Sequence, residues 1–150
     1  MATPRDIRRL AFQALFQLDA RGAVDSEDIR QSLDENPDFK PADRDKAFAL
    51  ANEAFTHRAE ADATMRELAP TWPAHRQAAV DRAILRLAYY EMTRGGVHAK
   101  IAVNEAVELA KDFSTDKSPG FVNGLLDNVL KRVLAAGTAP ALPSDVSEKP

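Results

Sequence analysis

The stretch AHRQAAVDRAILRLAYYEMTRGG, from Ala74 to Gly96, decides the fold class. Its apolar residues Val80, Ala83, Ile84, Leu85, Leu87, Ala88, Tyr89 and Met92 cover most of a helix circumference, which marks a helix buried at the centre of a helical body. A strand would show alternation over a short run rich in β-branched and aromatic residues, and no segment of the chain reads that way. Gly95 and Gly96 supply the stop, because a residue without Cβ reaches left-handed backbone freely.

Working outward from this block, two further helices are expected on its C-terminal side. One runs from about Ile101 to Phe113; the other opens with Ser118 as cap and Pro119 at its first position, turning Phe121, Val122, Leu125, Leu126, Val129 and Val133 inward. On the N-terminal side, Ala47, Phe48, Ala51, Ala54, Phe55, Met65 and Leu68 spell a long amphipathic helix with room for one break, which Pro70 and Pro73 terminate. Trp72, in that connection, is expected to pack as a plug. A short helix around Ser26 to Glu35 has Ile29 and Leu33 as its anchors, and the loop after it holds Pro37 and Pro41. The first helix starts with Thr3 as N-cap, Pro4 next and Asp6 three residues after the cap, a capping box, and runs to about Leu18. The reading is all-α, a compact bundle of about six to seven helices over 1–136, with a disordered Pro-, Ala- and Ser-rich tail over 137–150.

Composition narrows the function. A chain of 150 residues, 45% of them hydrophobic, suits one domain with one core. It contains no cysteine, which excludes disulfides, thiolate nucleophiles and cysteine-held metal centres. The polar start has no signal-peptide pattern and no window reaches the length of a membrane span, so a cytoplasmic protein is expected, with no membrane partner. A net charge of -3 argues against indiscriminate coating of nucleic acid and requires any such site to be local. Charge is indeed uneven: Asp25 to Asp45 carries a local net of -5, leaving the remainder at +2. His57, His75 and His98 are scattered without metal-ligand spacing, and Glu53 with His57 reads as a surface pair rather than an acid–base dyad. With no glycine-rich phosphate loop and no nucleophile elbow, the chain is read as non-catalytic, without metal or cofactor.

Two features point to a ligand. On the first helix, Ile7, Leu10, Ala11, Ala14, Leu15 and Leu18 form the core face, while Arg5, Arg9, Phe12 and Phe16 gather opposite, flanked by Arg8 and Gln13. Arginine forks bind phosphates and rings stack splayed bases, which is what single-stranded RNA requires. The competing reading buries the helix on two sides with the arginine stems lying over the rings, and for Phe12 that reading is preferred. The second feature is the segment from Phe113 to Phe121, where Lys117, Ser118 and Gly120 combine a charge, a hydroxyl and an open approach at a helix start, as phosphate binding would use them.

Four blocks carry a family resemblance: Arg8-Arg9-Leu10-Ala11-Phe12-Gln13-Ala14-Leu15-Phe16, the stretch Asp81 to Glu91, the stretch Ile101 to Lys111, and Phe121-Val122-Asn123-Gly124-Leu125-Leu126-Asp127. In order and spacing they resemble the NusB family from roughly Arg5 to Arg132, most weakly between Gly22 and Pro41. The resemblance implies an all-helical fold of two packed subdomains. It further implies a role in transcription antitermination, in which the protein binds the single-stranded boxA element of nascent ribosomal RNA with the ribosomal protein NusE, within the transcription elongation complex.

Carried over by position, the resemblance assigns RNA contact to Arg5, Arg8, Arg9, Phe16, Lys117, Ser118 and Phe121, with Gln13 beside them, and NusE contact to the helix bearing Asp81 and Arg82. Asn104, Glu105 and Asn123 are expected to bond across helix junctions. Tyrosine commonly stands in the family at Phe16 and an acid often stands at Lys117, so stacking is retained and phosphate attraction strengthened here. Two other readings stay open at this point: an interaction module, including a homodimer, in which Phe12 and Phe16 meet a second subunit; and an RNA-binding domain detached from a ribosomal RNA methyltransferase.

Overall fold

A computed structural model describes residues 2–136 as seven α-helices: α1 Pro4–Arg21, α2 Ser26–Asp34, α3 Pro41–Thr56, α4 Arg58–Leu68, α5 Ala79–Thr93, α6 Ala99–Phe113 and α7 Ser118–Ala136. Single 3₁₀ turns at Ala23–Asp25 and Ala74–Arg76 complete the regular structure, and no strand occurs among the described residues. The tail expected over 137–150 lies outside them. No helix is long and apolar enough to cross a membrane among the described residues.

The central helix is where the hydropathy pattern placed it. α5 packs against α1, α3, α4, α6 and α7, and Ala83, Ile84, Leu85, Leu87, Ala88 and Met92 are all buried. α1 with α2 and α3 forms one packed part, α6 with α7 the other, and one buried cluster from Leu10 to Val133 runs through both. The long helix expected over residues 42–68 does break once: His57 leaves helical geometry at φ -98°, ψ 15°. The Arg58 guanidinium stacks on Phe55, 3.8 Å from its centroid, and donates to the Phe55 carbonyl at 2.7 Å.

Polar ties lock the helices together. Arg86, 8% exposed, donates to Asp62 at 2.9 and 2.6 Å and also bonds Asp19, while Arg82 donates to Asp19 at 2.9 Å. α1, α4 and α5 thus meet at one set of ions. At the start of α1 the capping box forms in full, the Thr3 hydroxyl accepting from the Asp6 N–H at 3.1 Å and the Asp6 carboxylate from the Thr3 N–H at 2.9 Å. The second bond, made by the Thr3 backbone, holds the Asp6 carboxyl below its ordinary range.

At the end of α5, Gly96 takes φ +73°, and a Cβ on Gly95 would lie 2.9 Å from the Glu91 Cα. Both glycines are therefore required, one for conformation and one for space. Gly95→Ala is expected to lower stability by about 1–3 kcal/mol through overpacking against backbone. Urea unfolding should show it as a reduced midpoint at unchanged slope.

Trp72 departs from expectation. It is 46% exposed rather than plugged into the core. The connection closes on itself instead, with the Trp72 N–H donating to the Ala69 carbonyl at 2.9 Å and the Gln77 amide to the Trp72 carbonyl at 3.1 Å, so the ring is carried outside the helices. Asn104 and Asn123 also stand exposed; of the three residues expected at helix junctions, Glu105 does the bonding.

Candidate nucleic-acid interface

The three N-terminal arginines share one feature that their spacing could not reveal, in that each faces a carboxylate from another helix. Arg5 donates to Glu105 of α6 at 3.0 and 2.8 Å, Arg8 to Glu91 of α5 at 2.9 Å, and Arg9 pairs with Asp112 of α6. Their settings differ. The Arg8 and Glu91 side chains are 12% and 3% exposed, whereas the Arg5 side chain is 54% exposed and that of Arg9 33%.

The structure places Arg8, expected at the RNA, as the largely buried partner of Glu91 inside the protein. Burial pushes the Glu91 carboxyl up and Arg8 opposes it. Glu105 is held below the usual carboxylate range, chiefly by the hydrogen bond from Arg5. Arg5 and Arg9 form exposed pairs of the kind worth about 0–1 kcal/mol, which a phosphate can displace.

The aromatic stripe divides in the same way. Phe12 is buried, with its ring centroid 5.1 Å from that of Phe113 and 6.5 Å from that of Phe16, so it packs as preferred from sequence. Phe16 is half-buried at the edge of the core. Phe113, the last residue of α6, is 38% exposed and carries the Arg9 guanidinium 5.4 Å from its centroid. It joins the two regions the sequence singled out.

On one side of Phe113 lies a groove of about 210 Å³, where Arg9 and the exposed Gln13 face Asn36 and Phe39. On the other side the chain turns through Ser114–Lys117 into α7. A second, larger groove of about 540 Å³ opens there, lined by Lys117, Phe121, Thr115 and Ser118 together with Trp72, Arg76, Gln77 and Asp81.

Ser118 and Asp81 build this groove rather than offering free ligand groups. The Ser118 hydroxyl, on a residue 4% exposed, donates to Asp81 at 3.0 Å and also bonds the hydroxyls of Ser114 at 2.8 Å and Thr115 at 2.9 Å. Ser114 donates to the other Asp81 oxygen at 2.7 Å. One buried carboxylate thus fixes the α6–α7 turn onto α5, with Ser118, expected as a phosphate ligand, and Asp81, expected as a partner contact, both bonded within this cluster. Arg82, expected at the partner surface beside Asp81, donates to Asp19 and to the carbonyls of Ala74 and Gln77 at 3.0 and 3.3 Å. Lys117 is exposed and Phe121 half-buried, and both line this groove.

Sequence reasoning missed Phe39, Trp72 and Arg76 as members of these surfaces. The signal for the last two was present as an arginine four residues from an aromatic.

A family model described as the NusB family matches residues 5–131. The transcription antitermination protein NusB of Symbiobacterium thermophilum is 43% identical over 150 residues, covering 94% of this chain and 98% of its own. That of Solibacter usitatus is 41% identical over 142 residues, with 94% and 97% covered. Among solved structures, Thermotoga maritima NusB (T. maritima) superposes with a TM-score of 0.74 at 32% identity, over 87% of this chain and 93% of that one. A chain from the crystal structure of the antitermination factors NusB and NusE in complex with double-stranded RNA gives a TM-score of 0.74 at 25% identity, over 85% and 96%.

Proposed function

The chain belongs to the NusB family, and from that premise we propose that it is a non-catalytic, cytoplasmic transcription antitermination factor that binds single-stranded boxA-type RNA of nascent ribosomal transcripts together with the ribosomal protein NusE in the elongation complex. The observation that carries this reading is the continuity from Arg9 across Phe113 and the Ser114–Lys117 turn to Phe121. Cations and aromatic faces alternate along that line, with a groove on either side. Single-stranded RNA is recognised by such a surface, because unstacked bases present faces to rings while phosphates meet guanidinium and ammonium groups.

Within this surface Arg5, Arg9, Gln13, Phe16, Lys117 and Phe121 remain the contacting residues. Arg8 and Ser118 support it from inside. The interaction-module reading loses its ground, since the buried Phe12 leaves no exposed pair of rings on α1 to meet a second subunit.

The test is a titration of boxA-like single-stranded RNA, a scrambled single strand and a duplex, with and without NusE, at two salt concentrations. The boxA-like strand should bind most tightly, NusE should tighten it further, and affinity should fall as salt rises. Equal weak binding to all three RNAs under every condition would overturn the proposal.

A further inference from the structure

Resting on the RNA-binding reading, we infer that the larger groove, between the α4–α5 connection and the start of α7, is a base pocket in which one unstacked nucleobase of the bound strand lies on Trp72, with Arg76 and Lys117 at its flanking phosphates. Trp72 is an exposed ring whose place is fixed by the backbone bonds of its loop rather than by the core. The Arg76 guanidinium stands 5.3 Å from the ring centroid and reaches only the Thr71 carbonyl, at 3.5 Å.

The charge of this groove separates it from the α1 surface. There each arginine has a carboxylate, whereas neither Arg76 nor Lys117 has an acidic partner among the described residues. Of the acids nearby, Asp81 has both oxygens engaged by Ser114 and Ser118, and the exposed Asp116 beside Lys117 forms no ion pair with it. Two cations without an ion-pair partner among the described residues stand beside two aromatic residues in about 540 Å³ of open volume, which suits a nucleotide's charge and its flat base. The groove is continuous with the proposed RNA path through Lys117 and Phe121, so a strand crossing the α6–α7 turn reaches it without leaving the surface.

Trp72 is the single tryptophan of the chain, so its emission reports on this groove alone. The full chain is titrated with a labelled boxA-like single strand, following label anisotropy and tryptophan emission together. Emission should be quenched along the same curve as anisotropy. Trp72→Ala should weaken binding by about tenfold, Trp72→Phe should retain most of the affinity, and Arg76→Ala should weaken binding with a reduced salt slope. Circular dichroism confirms that the variants are folded, and the wild-type emission arm requires no variant.

Binding by anisotropy with unchanged emission overturns the base pocket and leaves the RNA-binding reading standing. Emission that responds to NusE but not to RNA overturns it in favour of a protein-facing groove. Absence of RNA binding in every condition removes both.

Discussion

Arg8→Ala should cost about 3–5 kcal/mol of folding stability. It removes the partner of Glu91, a carboxylate 3% exposed in the middle of the fold. An isolated buried carboxylate cannot remain charged there, so the variant protonates it or unfolds locally to reach water. The pH dependence has a definite sign. Burial already raises the folded-state value of Glu91, and deleting Arg8 removes the opposing influence. Between the unfolded value and the raised folded one the native state holds the extra proton, so the variant loses stability as pH rises through that window and regains it as pH falls. Urea unfolding at neutral and mildly acidic pH should show the deficit shrinking toward acid. Arg5→Ala, which opens an exposed pair, should lie within about 1 kcal/mol of wild type. A small, pH-independent loss for Arg8→Ala would show that Arg8 is not the ion holding Glu91.

Lys117→Glu should have the largest effect on RNA with almost none on the fold. Lys117 is exposed, has no acidic partner among the described residues, and sits where the turn from α6 delivers the chain into α7. Losing one phosphate contact lowers the salt slope on a single strand by about 0.7, and the new negative charge adds repulsion. We expect roughly a tenfold loss of affinity at low salt, uniform across sequences because a lysine reads phosphate rather than base. Stability should move by no more than about 0.5 kcal/mol, as for other surface substitutions. Anisotropy across a salt series measures both quantities. Unchanged affinity and slope would place Lys117 off the RNA.

These predictions also mark the boundary of what spacing could reveal. The capping box at Thr3, the stop at Gly95-Gly96 and the buried circumference of α5 depend on residues within a turn or two of one another, where helical periodicity determines the neighbours. They stood as expected, as did the burial of Phe12. Arg5, Arg8 and Arg9 look alike on a helical wheel, yet what separates them is Glu91 and Glu105, more than 80 residues away along the chain. The Ser118 hydroxyl reads in the sequence as an open phosphate ligand, whereas in the fold it is bonded to Asp81, 37 residues upstream. Trp72 reads in the sequence as a plug, whereas the self-closing bonds of its loop put it outside. Helix identity and core face are local properties, whereas the partner of a polar side chain is a property of the assembled bundle.

We propose that one ribonucleotide path crosses the α6–α7 turn from Arg9 to Phe121. Photo-crosslinking a boxA-like single strand to the full chain with NusE, then locating the modified peptides by mass spectrometry, tests it most directly. Crosslinks are expected within the segment from Phe113 to Phe121 and on the first helix between Arg9 and Phe16, both suppressed by unlabelled boxA-like RNA. Crosslinks confined to α2 and α3, with neither of those segments modified, would contradict it.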